Sequence, residues 1–390
     1  METKQLLSGF KEIFGKDGDR IFFSPGRINL IGEHTDYNGG KVFPCAITMG
    51  TYAAVSMRED QSIQAYSENF PNDGIITFDL STIQYKKGDK WTNYLKGMVR
   101  YIQEKYGELP NGFDIYIYGN IPNGASLSSS ASLELLTGVV VRELFDLEIE
   151  QLDLVKLGMR TENEFLGLNS GILDQFAVGM AEKAHAMLLD TNTLEYEQIP
   201  VELPEHKILI MNSMTRRELV DSEYNLRRKQ CEEALAKLQT VLSIESLGAL
   251  SEETFEANKA VIGDDVLTRR AKHAVYENKR TERAAEALKA GDLKTFGQLM
   301  NKSHTSLHED YEVTVKETDL LVRLAWKQPG VVGARMTGGG FGGCCIAIVE
   351  QDAVEDFIEN VEAAYLAEIG HPGEIYIAET ADGTKEWDLA

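Results

Sequence analysis

The stretch GARMTGGGFGGCCIAIV, residues 333–349, constrains the fold more than any other. Gly338, Gly340 and Gly343 match a GxGxxG pattern. A dinucleotide-binding turn of that pattern has to open a helix. Here the apolar run CCIAIV continues as a strand, so a doubly wound nucleotide-binding fold is excluded. Five glycines in six residues then read either as a bare glycine-rich hairpin or as backbone that a ligand or a neighbouring domain approaches closely.

A second glycine-containing stretch, GNIPNGASLSSSASLELL, follows the alternating strand DIYIY. Gly119 and Gly124 have the spacing of a P-loop's two glycines, but Ala125 and Ser126 stand where that motif requires Lys and then Ser or Thr. The P-loop reading therefore fails. What remains is a strand, a turn, and three serines opening a segment whose apolar residues recur at helical spacing. A helix N-terminus carries unpaired N–H groups and the positive end of the helix dipole, and phosphates bind there readily. One serine is explained by capping alone. Ser128, Ser129 and Ser130 together favour phosphate binding, with one hydroxyl available to Mg²⁺.

The stretch RINLIGEHTDYNGG, residues 27–40, sets an arginine, an asparagine, two acids and a histidine behind Pro25-Gly26, read here as a tight turn. Donors and acceptors so densely packed suit a small, hydroxyl-rich ligand. Zinc is a poor alternative for Glu33, His34 and Asp36 at this spacing. In GLNSGILDQFAVG, Asp174 reads as a helix N-cap or as a catalytic carboxylate, and local evidence alone favours the cap.

At 390 residues the chain predicts two domains. Its net charge of -23 excludes partners that need a basic face, so neither nucleic acid nor an anionic membrane is expected. The four cysteines form no metal spacing or disulfide framework and read as reduced and mostly buried. The opening METKQLLSGFKEIFG reads as an amphipathic helix, not a secretory signal. No apolar run approaches a membrane span. A cytoplasmic monomer is the expectation. Short strands (RIFFSPGR, KVFPCAI, TYAAVSM) alternate with turns early on, and long charged helices follow HKILIMNS. The composition shifts at IPVELPEH. The fold class is α+β, with domains at 1–200 and 201–390.

Taken together, these motifs resemble the GHMP kinases, the superfamily of galactokinase, homoserine kinase, mevalonate kinase and phosphomevalonate kinase. GRINLIGEHTDYNGG is similar to the signature of the galactokinase family, and PNGASLSSSAS, ENEFLGLNSGILDQF and GARMTGGGFGG match further motifs in order and spacing. One departure is Ser126, where the family usually has glycine. A serine serves there if its φ stays negative; a positive φ costs roughly 1 kcal/mol or more. The resemblance implies a two-domain GHMP kinase fold. Its N-terminal domain is ribosomal-protein-S5-domain-2-like, its C-terminal domain is ferredoxin-like, and the active site lies between them. It implies ATP-dependent phosphorylation of D-galactose at the anomeric C1 hydroxyl, giving galactose 1-phosphate and ADP at the entry to the Leloir pathway.

It also implies roles. Glu33, His34, Asp36, Gly171, Asp174 and Tyr224 would contact galactose. Arg27 and Asp174 would be catalytic, the guanidinium stabilising charge on the transferred group and the carboxylate taking the sugar proton late. Gly124, Ala125, Ser126, Leu127, Ser128, Ser129 and Ser130 would hold the nucleotide phosphates. Ser130 and Glu162, twelve residues before Asp174 as in the family, would hold Mg²⁺. Trp91 and Tyr94 would stack on adenine, although at helical spacing they read equally as core packing. Rival functions are a kinase for N-acetylgalactosamine or arabinose and a non-catalytic sugar sensor. The intact SSSAS run, with Arg27 and Asp174 present, argues against the sensor.

Overall fold

Alternating apolar residues build two sheets and assign each of their faces. The computed structural model describes residues 3–122, 125–215 and 220–387. The first sheet has six strands in the order Lys385–Trp387, Arg20–Asn29, Pro44–Met57, Phe113–Gly119, Ser62–Ser67 and Ile76–Asp79. Side chains of successive strand residues point to opposite faces. Phe22, Ala53, Val55, Ile115 and Ile117 accordingly meet the helices Thr92–Tyr106, Ser129–Leu144, Gln151–Arg160 and Leu173–Met180 on one side. Ile21, Ala54 and Tyr116 meet Leu6 and Phe10 of the opening helix Thr3–Phe14 on the other.

The second sheet is four-stranded and antiparallel, in the order Val331–Met336, Cys344–Glu350, His206–Asn212 and Glu374–Ala378. Leu209, Met211, Cys345 and Ala347 face helices that include Val220–Leu238, Lys316–Ala325 and Val354–Ile369. Ile208, Ile210, Cys344, Ile346 and Ile348 face Ile28, Leu30, Cys45, Ile47 and Leu127 of the first half in one shared apolar cluster. The adjacent cysteines are thus split between two cores, and all four cysteines are buried. A small sheet of Lys41–Val42, His185–Asp190 and Tyr196–Pro200 caps one end.

The α+β expectation holds, with two corrections. Pro25-Gly26 is not a turn: the strand Arg20–Asn29 runs through it with a register shift. The outer strand pairs only with residues 21–23, so the missing Pro25 N–H deprives no partner on that side. KVFPCAI and TYAAVSM merge beyond Phe43 into one strand, Pro44–Met57. The late strand Lys385–Trp387 returns to pair with the first sheet. Among the described residues no helix is long and apolar enough to cross a membrane.

Candidate active site

The register shift places Arg27 at the seam between the halves. A Cβ on Gly26 would stand 2.8 Å from the Leu127 carbonyl, so only glycine lets the serine loop approach this closely. The Arg27 N–H donates to that same carbonyl at 3.1 Å. The buried Arg27 guanidinium donates to Asp174 Oδ1 from Nε at 2.9 Å and from Nη2 at 2.7 Å, and to the Ser126 carbonyl from Nη1 at 2.6 Å. Asp174 lies in the first turn of Leu173–Met180, whose N-cap is Ile172, so the capping role expected of it is not the one it has.

The serine loop feeds the 16-residue helix Ser129–Leu144. Ser128 occupies the N-cap position in the left-handed region, with no side-chain capping bond. Among the described residues its hydroxyl and that of Ser126 are buried without a partner. Capping thus does not explain these serines, and they remain available to a ligand. Ser126 has φ 61°, so the condition of negative φ is not met and the serine is strained where glycine would be relaxed. Gly124 lies outside the described residues. Ala125 and Leu127 are buried in the core between the halves and anchor the loop.

A cleft of about 410 Å³ opens between the halves, within the range of small-molecule sites. It brings together Arg27, Glu33, His34, Asp36, Ser126, Ser128, Ser129, Ser130, Gly171, Asp174 and Tyr224. Glu33 Oε1 accepts the Gly338 N–H at 2.7 Å and faces Arg335 Nη1 at 3.4 Å, which ties the first motif to the third. Burial raises the Glu33 carboxyl above its ordinary value, against the opposing charge of Arg335. Burial, and then the charge of Asp174, push Asp36 up to about 6. A Cβ on Gly171 would collide with the Asp36 carboxylate, so that glycine has a steric reason. Burial, then Asp36 and Asp174, raise the Tyr224 phenol well above its usual range.

Glu162 sits in a π-helical turn, Thr161–Phe165, that continues the helix Gln151–Arg160. Such turns often mark functional sites. Burial raises its carboxyl, and hydrogen bonds with Ser170, Ser130 and Gln175 oppose that. Among the described residues no group of three or more His, Cys, Asp or Glu side chains could hold a metal ion. The Glu162 carboxylate and the Ser130 hydroxyl are nevertheless hard oxygen donors of the kind that fit Mg²⁺, which takes one or two protein oxygens and completes its shell with substrate phosphates and water.

Trp91 and Tyr94 line a second cavity of about 210 Å³ that shares Ser129 and Ser130 with the cleft. Both also pack against the main core, as the core-packing reading of this pair expects. Trp91 Nε1 is buried without a partner among the described residues.

Sequence reasoning missed several residues. Arg335, fully buried, donates from Nη1 to the Asn29 carbonyl at 2.9 Å, and a charge inside the apolar strand Val331–Met336 was the available signal. Glu134 is fully buried on the serine helix itself, and burial and the charge of Glu162 push its carboxyl well above the ordinary range. Tyr37 and Tyr311 adjoin His34 with no signal beyond residue type.

Family models match the chain over residues 93–182 (GHMP kinases N terminal domain) and 284–367 (GHMP kinases C terminal). A Methanococcus jannaschii mevalonate kinase structure superposes with TM-score 0.67 at 20% identity, covering 94% of this chain and 99% of that one. Fold and domain models together define the class, a GHMP kinase. The galactokinase galactose-binding signature matches residues 8–57. A Lactiplantibacillus plantarum galactokinase is 56% identical over 386 residues, 99% of this chain and all of that protein. A Lactococcus lactis galactokinase structure, complexed with galactose, matches at 52% identity and TM-score 0.95, covering 98% and 99% of the two chains. The chain belongs to the galactokinase family.

Proposed function

We propose that this enzyme transfers the γ-phosphoryl group of ATP to the C1 hydroxyl of D-galactose, giving galactose 1-phosphate and ADP. The observation that carries this reading is the placement of the Arg27–Asp174 pair. It stands between the serine-lined helix N-terminus and the cluster of Glu33, His34, Asp36, Gly171 and Tyr224. A pyranose in that cluster meets fixed polar groups, and a sugar of the wrong stereochemistry leaves them buried and unpaired. The N–H groups of the loop and helix, that of Ser126 among them, with the hydroxyls of Ser128, Ser129 and Ser130, bind the phosphates. Trp91 and Tyr94 hold adenine in the adjoining cavity.

Both guanidinium bonds to Asp174 fall on Oδ1. Asp174 orients the C1 hydroxyl and takes its proton on Oδ2 as the new O–P bond forms, while Arg27 stabilises charge on the transferred group. Glu162 and Ser130 would hold Mg²⁺, which when bound neutralises charge on the ATP phosphates. The division at residues 200 and 201 follows the same logic: the first block supplies the loop and most of the sugar site, the second the glycine-rich third motif and Tyr224.

The test is Mg²⁺-dependent ADP release with ATP and a panel of galactose, glucose, N-acetylgalactosamine, arabinose and mevalonate. Turnover confined to galactose and its close analogues is expected. N-acetylgalactosamine turned over faster than galactose would overturn the substrate assignment. No turnover, with galactose still protecting against thermal unfolding, would leave a sugar sensor.

A further inference from the structure

Three side chains that the proposed reaction does not use run in line from the cleft into the second half. Tyr37 Oη lies 2.8 Å from His34 Nδ1, Tyr311 Oη lies 2.8 Å from Tyr37 Oη, and Cys231 Sγ lies 3.2 Å from Tyr311 Oη. On its other side the imidazole faces the Gly339 carbonyl, 3.2 Å from Nε2. A carbonyl only accepts, so Nε2 carries a hydrogen whether the ring is neutral or charged. In the neutral ring Nδ1 accepts from Tyr37, which in turn accepts from Tyr311. The tautomer with hydrogen on Nδ1 alone would set two lone pairs against each other at Gly339.

The ring is also caged. Tyr311 and Tyr224 stand 4.9 and 5.4 Å from it, centroid to centroid. His34 holds φ 61°, a strained value for a non-glycine residue, and its carbonyl accepts from Asn38 Nδ2 at 2.7 Å. Gly339 and His34 line the same cleft.

We propose that Tyr37 and Tyr311 are positioning residues that fix His34 as a hydrogen-bond donor toward the sugar. Its Nε2–H rests on the Gly339 carbonyl and passes to a galactose oxygen on binding. This rests on the reading of the cleft as a galactose site. It has a consequence for recognition: the oxygen that His34 meets needs only to accept. Fluorine at that position, a weak acceptor and no donor, replaces it better than hydrogen does. Hydroxyls that face the carboxylates must donate, and there fluorine is no better than hydrogen.

Two measurements decide it. In the full-length free enzyme labelled with ¹⁵N-histidine, the His34 resonances, identified by their loss in His34→Asn, should show hydrogen on Nε2. Hydrogen on Nδ1 alone would overturn the proposal. In kinetics, Tyr37→Phe should raise the galactose KM roughly 3- to 10-fold, the usual worth of one hydrogen bond, with kcat changed less than about twofold. Among galactoses carrying fluorine or hydrogen in place of one hydroxyl, one matched pair should favour fluorine, and Tyr37→Phe should shrink that preference. Tyr311→Phe should do the same more weakly, but Tyr37, only partly buried, is the deciding variant. Galactose turnover without any such pair overturns the donor role alone. No galactose turnover overturns the substrate reading beneath it.

Discussion

Ser126→Gly should strengthen this enzyme. Ser126 at φ 61° and Ser128 at φ 62° flank the buried Leu127. The Ser126 carbonyl takes the 2.6 Å bond from Arg27, which holds its backbone in this conformation. A left-handed non-glycine residue costs roughly 1–2 kcal/mol. Glycine gives back roughly 0.5–1 kcal/mol through its greater freedom in the unfolded chain. The net gain is about 0.5–1 kcal/mol, and loss of the unpartnered Ser126 hydroxyl acts in the same direction. For 390 residues, unfolding entropy of about 2.1 cal/mol/K per residue places the rise in Tm near 1 °C. A loop held in its binding geometry can pass the same free energy to the nucleotide, tightening ATP up to about 5-fold. Scanning calorimetry and isothermal titration with ATP measure both. An unchanged or lower Tm together with weaker ATP binding would refute the strain argument.

Asp174→Asn should lose turnover while ATP binding, read by titration calorimetry, stays near wild type. Retention of more than about a tenth of kcat, under ~1.4 kcal/mol of barrier, would remove Asp174 from the mechanism. Asp36, ordinarily 3.8 and here about 6, keeps its proton longer in the folded than in the unfolded chain. Folded stability without sugar should therefore fall as pH rises through that window, and Asp36→Asn should flatten this dependence in thermal melts at pH 4 to 8. The galactose KM should rise as pH falls through about 6, because the carboxylate is the better acceptor for a sugar hydroxyl. Glu162→Gln should raise the Mg²⁺ concentration needed for half-maximal rate about 10-fold or more, and an unshifted Mg²⁺ titration would count against Glu162 as a ligand.

How much of this was legible in the sequence depended on whether the cause was local. The helix Ser129–Leu144 followed from periodicity and the strand Cys344–Glu350 from its apolar run, whereas only the family resemblance placed Arg27, Asp174 and the serines in one site before any geometry was known. The strand Pro44–Met57 was read as two pieces because Pro44 and Gly50 look like punctuation. Gly50 stays in the strand because a Cβ there would collide with the Ser24 carbonyl across the pair. The positive φ of Ser126 goes with the bond of its carbonyl to Arg27, 99 residues away, which no window of sequence contains. Arg335 and Tyr311 have the same problem: each matters through partners in the other half.

The returning strand has a consequence for synthesis. Glu386 receives both Nε and Nη2 of Arg20 at 2.6 Å, a pairing across 366 residues. At typical translation rates those residues take about 20–70 s to make. Throughout that interval residues 21–23 present an unpaired strand edge, of the kind that invites pairing with other chains. The newly made first half thus waits for a strand that emerges only after the entire second half has been made.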